Sequence, residues 1–423
     1  MIASKTAQFQ ALQNWIQAEL GALNTAIEAG RPIEQFFSAV QPWVASFREA
    51  IQPAIHELDQ HDARVAIQLI TFIVNSAERH FQALRMPPGL ALQQFGSLEG
   101  LLVQLGARAE HPPVATHYTY WLWNSVPLLF TGDPQEIHFH RVVNATHNLH
   151  NYSRILLRPI CEGNVDVTSP EAMCAIRQTT ENMKELCRHF NSLTEMNGSS
   201  WVFQPAFFMK RMRTYLVSYP VCRVDWSGVN AANLAAQMAI DYMVGITTEK
   251  YRTTVHERLR YLTAEDRIGL EQDMMMPSLT DRILKKMNLN LCRLETLTRS
   301  SLGELLLHQP VDVLNSLVAL EGLIAAAGRL TSIHWRLIVD YLVKPASQLT
   351  PEELANLSVC PLNGTGNMSH SETMAIRDMR RKHPQIGKLC EAVAEYRRSL
   401  SATDDKCAGQ PAISAESEGA HAR

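Results

Sequence analysis

Histidine is the side chain best suited to proton transfer and metal ligation near neutral pH, and this chain has sixteen. The densest group is His138-Phe139-His140, followed by His147 and His150. On a helix, a spacing of three puts His147 and His150 on one face, as two imidazoles sharing a metal ion require. No acidic third ligand stands nearby in sequence to complete a zinc site. His334 is a separate candidate. It falls in the series Val311, Leu314, Leu317, Val318, Leu320, Leu323, Ile324, Ala327, Leu330, His334, Leu337, Ile338, Tyr341. Those steps of three and four draw one apolar face of a helix. A histidine there is either a core residue with a satisfied ring nitrogen or an axial ligand reaching a flat cofactor from a rigid helix. Further along lies Asn363-Gly364-Thr365-Gly366-Asn367-Met368-Ser369. Its glycines let backbone N–H groups approach an anion, and the helix expected over Ser371–Arg381 would add its dipole. The alternative is a plain surface loop.

The elements that must position these residues are helical nearly throughout. Phe9, Leu12, Trp15, Ile16, Leu20, Leu23 and Ile27 recur at helical steps, as do Val65, Ile67, Leu69, Ile70, Phe72, Ile73 and Phe81. Strand-like alternation is scarce, so the expected fold class is all-α. Met86-Pro87-Pro88-Gly89 and His111-Pro112-Pro113 break the pattern. They suggest a small helical N-terminal domain over 1–112 and a larger helical domain over 113–400. Pro345 is expected to end the long apolar helix. The polar, unpatterned stretch 401–423 reads as a disordered tail.

Composition narrows the classes. The 423 residues are 46% hydrophobic and 19% charged, enough for a large core and unlike a disordered chain. Thirty-nine Lys and Arg against 42 Asp and Glu leave a net charge of -3, without the basic excess of a nucleic-acid binder. No uninterrupted apolar run has the length of a membrane span, and the N-terminus lacks a signal-peptide core. The eight cysteines form no C-x-x-C pair. A cytoplasmic protein with free thiols is the expectation.

Three segments together resemble the indoleamine/tryptophan 2,3-dioxygenase superfamily of haem proteins. Ile333-His334-Trp335-Arg336-Leu337-Ile338-Val339-Asp340-Tyr341-Leu342-Val343-Lys344-Pro345-Ala346-Ser347-Gln348 looks like the family helix that carries the proximal haem histidine and ends in P-A-S-Q. Pro205-Ala206-Phe207-Phe208-Met209-Lys210-Arg211-Met212-Arg213-Thr214-Tyr215-Leu216 is similar to the segment whose aromatic residue lines the indole pocket and whose arginine holds the substrate carboxylate. Gly364-Thr365-Gly366 resembles the G-T-G-G loop near the haem propionate and the substrate amino-acid group. Ser227-Gly228-Val229-Asn230-Ala231-Ala232 resembles a further segment near the haem. Trp123-Asn124 and Phe130-Thr131-Gly132-Asp133-Pro134-Gln135-Glu136-Ile137-His138 are similar to the related pyrrolnitrin-pathway synthase. The segments follow family order over most of the chain.

The resemblance implies haem b held through its iron by His334, with Ser227, Gly228, Gly364 and Gly366 near the cofactor. It implies a substrate bound by Phe208, Arg213 and Thr365. Arg211 is the expected surface arginine beside Arg213. Asn367 and Met209 depart from the family pattern. The residue facing oxygen in the relatives falls at about Val142, one helical turn beyond His138. His138 is the candidate catalytic donor or acid–base group there, the alternative being that it faces solvent.

The implied function is a haem-dependent oxygenase of specialised metabolism, acting with O2 or peroxide on tryptophan or a related aromatic amino-acid-derived compound. The rivals are a pyrrolnitrin-synthase-like indole rearrangement, a haem protein that only binds a gas, and a cofactor-free helical scaffold. No nucleic-acid or membrane partner is expected. No motif encodes the electron donor or decides between monomer and homodimer.

Overall fold

The structure, a computed structural model, describes residues 2–96, 98–350, 352 and 370–408. Its first part comprises α1 (Ile2–Trp15), α2 (Gly21–Glu28), α3 (Ile33–Ile51), α4 (Gln60–Ala83), α5 (Leu90–Gln94) and α6 (Leu98–Ala109). A π-helical turn, Ile16–Leu20, joins α1 to α2. Beyond residue 112 come α7 (Pro134–Glu162), α8 (Pro170–Ser192) and α9 (Pro205–Lys210), then α10 (Ala235–Val244), α11 (Glu249–Arg258) and α12 (Ala264–Met275). Next are α13 (Leu279–Lys286), α14 (Leu291–Thr296), α15 (Arg299–Leu307), α16 (Val311–Ile338), α17 (Lys344–Ser347), α18 (His370–Lys382) and α19 (Gly387–Ala408). Two short antiparallel hairpins, 196–201 and 219–226, flank α9. With 75% helix and 3% strand, the protein is all-α.

Short-range chemistry sets many helix ends. Asp59, Asp133 and Ser169 cap α4, α7 and α8 by accepting from Asp62, Gln135 and Ala172 N–H groups. Pro134 and Pro170 follow two of these caps, where a missing N–H costs nothing. Gly163 and Gly245 end α7 and α10 with φ of +89° and +88°, a conformation that favours glycine. The start of α7 is also tied down by buried Glu136. It accepts hydrogen bonds from the Phe130 and Thr131 N–H groups (both 2.9 Å), the Thr131 hydroxyl (2.6 Å) and the Tyr120 hydroxyl (2.7 Å). The Phe130–Glu136 motif is thus a folding staple that aims α7.

Two large apolar cores result among the described residues. The first is built on Phe9, Leu12, Ile16, Leu20, Phe36, Phe47 and Phe72, but it continues into Tyr120, Trp121, Phe130, Val142, Phe203, Tyr215 and Tyr341. The expected division at residue 112 therefore does not divide the core. The second joins Leu157, Ile176, Leu186, Met238, Leu320, Leu323 and Leu389. Helix α16 lies against α8 and α18.

The continuous helix Val311–Ser347 is long and apolar enough to cross a membrane, with mean hydropathy 1.5 over a window that is 50% buried inside the fold. Core helices meet that test as well. Contrary to expectation, Pro345 does not stop it. A π-helical turn, Val339–Val343, precedes the proline and shifts the hydrogen-bond register before α17 begins. Val311, expected on the apolar face, is 73% exposed at the helix start. Helix α19 carries regular structure to Ala408, into the stretch expected as a tail; 409–423 lie outside the described residues.

Candidate functional site

A largely apolar cavity of about 250 Å³ opens between α7, α9, α10, α11, α16 and α18. Helix α7 contributes Phe139, Val142, Val143, Thr146 and His150, one face at helical spacing. Helix α16 and its π turn contribute Thr331, His334, Leu337, Ile338, Tyr341 and Leu342. At one end the rings of Phe139, Phe203, Phe208 and Tyr341 pack together, with Phe139–Phe203 centroids 5.3 Å apart at 20° and Phe139–Phe208 5.6 Å apart. The Tyr341 hydroxyl donates to the Phe203 carbonyl at 2.7 Å and also reaches the Leu193 carbonyl, locking this wall to α16.

His334 projects into the cavity. Its ring is accessible because the cavity is, although protein surrounds it. Among the described residues neither ring nitrogen has a hydrogen-bond partner; the recorded neighbour is the Phe190 ring, 5.7 Å away. Burial, and then the Arg380 charge, push its pKa down to about 4, so the imidazole is neutral at pH 7 with a lone pair free. This is not the satisfied core histidine that the apolar helix face alone would allow.

Arg213, 1% exposed, and Phe208 both line the cavity, as the sequence suggests. Arg213 Nη1 lies 3.9 Å from the Met209 sulfur, and Met209 packs against Leu342 and Ala346. Two more guanidinium groups, unmarked in the sequence, stand in the same wall. Arg380 donates to Asp241 through Nε (3.0 Å) and Nη2 (2.6 Å), and the Tyr251 hydroxyl donates to the same carboxylate at 2.5 Å. Oriented with its oxygen toward Arg380, the Gln237 amide accepts from both terminal nitrogens at 3.0 and 3.1 Å. Arg258 donates to the Ala232 carbonyl at 3.1 Å, and burial lowers its pKa. Asp241 and Arg380 are far apart in sequence, so no local pattern announces their pair. The Thr373, Ile376, Arg380 spacing on α18 is the one signal that could have placed Arg380 on this face.

Other expectations are corrected. His138 does not line the cavity; its Nε2 sits 3.4 Å from the Ser192 carbonyl. One residue is about 100° around a helix, so Phe139 takes the inward position and His138 turns aside. Val142, the expected oxygen-facing position, does line the wall. His140 is buried edge-on to Tyr120 at 4.6 Å, away from the cavity. The histidine of α7 that reaches the cavity is His150. Its Nδ1 donates to the Thr146 carbonyl at 2.8 Å, leaving Nε2 unprotonated, and burial lowers its pKa to about 4. Among the described residues there is no cluster of three or more His, Cys, Asp or Glu placed to hold a bare metal ion.

Ser227 and Gly228 stand behind the wall rather than in it. Their N–H groups donate to the Tyr261 hydroxyl (3.0 Å) and the Ser218 hydroxyl (2.9 Å). Asn230, Ala232 and Leu234 of the same segment form the lining. Gly364, Thr365 and Gly366 lie outside the described residues.

The arrangement can take a ligand with a flat apolar body and anionic edges, and can offer it a neutral imidazole. Haem b is such a group, and these residues fit it: His334 for iron, the ring cluster for an apolar face, Arg258 and Arg380 for carboxylates. No family model and no curated protein matches the chain.

Proposed function

We propose that this protein is a haem-dependent oxygenase with an indoleamine/tryptophan dioxygenase-like fold, acting on tryptophan or a related aromatic amino-acid-derived compound. The observation that carries the reading is His334, a neutral imidazole without a hydrogen-bond partner among the described residues, open to an apolar cavity walled by arginines. A ligating histidine keeps its lone pair for the metal. The resemblance of the flanking segments points to the same group.

When bound, haem supplies a redox-active iron for reaction with O2 or peroxide. The chain's own residues would do the rest. His334 would hold the iron. Arg258 and Arg380 would receive the propionate carboxylates, with Arg380 kept in place by Asp241. Phe139, Phe203 and Phe208 would confine an aromatic ring and keep water from it. Arg213 would hold the substrate carboxylate, its burial strengthening that contact. A buried arginine in the wall favours an acidic substrate over a protein that binds only a gas.

The test is the visible spectrum of the purified, haem-reconstituted protein, followed by titration with tryptophan and indole derivatives. The reading expects a Soret band that shifts with an aromatic amino acid and a product formed under O2 or peroxide. A protein that retains no haem would overturn it.

A further inference from the structure

No described residue of α1–α6 lines the cavity, yet these helices grip the segment that carries Arg213. That segment, Met212–Tyr215, is a single 3₁₀ turn, too short to hold its own position. Asn75, Arg79 and Gln82 share one face of α4 by their steps of four and three. Asn75 donates to the Tyr215 carbonyl at 3.0 Å, and Gln82 to the Ser218 carbonyl at 3.0 Å. Arg79 lies 3.4 Å from the Thr214 hydroxyl and covers the Tyr215 ring. At the centre of this grip is Glu28, the last residue of α2, its side chain only 13% exposed. Its carboxylate accepts from the Tyr215 hydroxyl at 2.6 Å and from Arg211 Nε at 3.1 Å, and Arg79 Nη2 lies 3.4 Å away. Arg211 also donates to the Thr25 hydroxyl at 2.9 Å. The residues on either side of Arg213 are therefore fastened to the N-terminal helices, while Arg213 itself faces the cavity.

We propose that Glu28 is a positioning residue for Arg213, and that the N-terminal helices set the cavity's selectivity for a carboxylate-bearing ligand. The proposal rests on the reading of Arg213 as the carboxylate anchor. Two short charge-assisted contacts from one carboxylate fix Arg211 and Tyr215, two residues before and after Arg213. Without them the turn keeps its weaker contacts: Asn75 to the Tyr215 carbonyl, Arg79 to the Thr214 hydroxyl and the Tyr215 ring, and Arg211 to Thr25.

The test compares wild type with Glu28→Ala and Glu28→Gln in the full-length, haem-reconstituted protein. Calorimetric titration with tryptophan and with tryptamine, which lacks the carboxylate, is paired with hydrogen exchange at the Leu216 amide, bonded to the Arg213 carbonyl at 3.0 Å. Glu28→Ala should weaken tryptophan roughly tenfold and tryptamine by less than about twofold, the loss of one charge-assisted contact. Exchange at Leu216 should quicken. Glu28→Gln, which keeps an acceptor for Tyr215, should recover part of both effects. A Glu28→Ala protein that keeps the wild-type preference for tryptophan, or that weakens both ligands equally, overturns the proposal. So does unchanged exchange at Leu216. If wild type itself shows no preference for tryptophan, the Arg213 reading fails first and the proposal with it.

Discussion

Removing His334 separates a cofactor ligand from a core residue, because the two roles differ in what they cost the empty protein. The ring makes no hydrogen bond to described residues and borders space that is already open. His334→Ala therefore loses little beyond contact with Phe190, and its cost to the haem-free protein should stay below about 1 kcal/mol. Leu320, on the same helix and fully buried, is the control. Leu320→Ala should cost about 2–5 kcal/mol, because it leaves a cavity in packed surroundings. Thermal unfolding of the haem-free proteins should show the His334 variant within about 2 °C of wild type and the Leu320 variant well below it. Haem titration should give the opposite order, with retention lost in His334→Ala and kept in Leu320→Ala. Added imidazole should restore part of the Soret band by entering the vacated space. A melting temperature lowered as far as in Leu320→Ala would make His334 a core residue. Wild-type haem content in His334→Ala would remove it as the ligand.

Arg213→Leu should raise the dissociation constant for tryptophan roughly 10–100-fold with haem content unchanged, from loss of a charge-assisted pair; calorimetry with tryptamine as control checks it, and equal binding by variant and wild type would refute it. Gly228→Ala should destabilise the fold by more than about 3 kcal/mol, because a Cβ there would overlap the Leu216 carbonyl oxygen, backbone that cannot swing away. Urea denaturation measures this, and since Leu216 lines the cavity, ligand affinity should fall as well. Acid should unfold the protein early. Burial lowers the pKa values of His80, His111 and His140 to about 3 and of His150 and His383 to about 4. Below pH 6.5 the unfolded chain takes up these protons first, so stability falls with falling pH by up to about 1.4 kcal/mol per unit per histidine. Far-UV circular dichroism should show unfolding begin above pH 4, and a chain still folded at pH 3 would contradict the burial of these rings.

The fold was legible where local signals and long-range packing agree. The periodicity of residues 5–30 and 63–84 marks α1, α2 and α4, and the Pro-Gly break at Met86–Gly89 is a real turn with Gly89 at φ +88°. The boundary at residue 112 was not legible as a packing unit. A proline-rich turn records where the chain bends, whereas the core forms where apolar faces meet, and Phe72 of α4 meets Tyr120 and Phe130 from beyond the turn. The site divides in the same way. His334, Phe208 and Arg213 lie in contiguous patterned segments and reach one cavity. Arg380 is fixed by Asp241, 139 residues away in sequence, and no spacing rule joins them.

His138 shows how a one-residue step redirects a helical side chain. The cavity face of α7 is fixed at two points: Glu136 clamps the helix start, and mid-helix His150 hydrogen-bonds to the Thr146 carbonyl while facing inward. Between those points the steps from Phe139 to Val142, Val143, Thr146 and His150 leave no freedom of register. A histidine one position before Phe139 must turn about 100° away, whatever its chemistry would favour. The cavity wall of α7 is consequently apolar as far as Thr146, and its polar groups gather with Arg380 at the other end. A ligand there meets hydrocarbon over its ring and charge at its edge. Selectivity must then come from the arginines and from what holds them in place. On the proposed reading, residues as distant as Asp241, which fixes Arg380, and Glu28, which fastens the turn bearing Arg213, would share that burden.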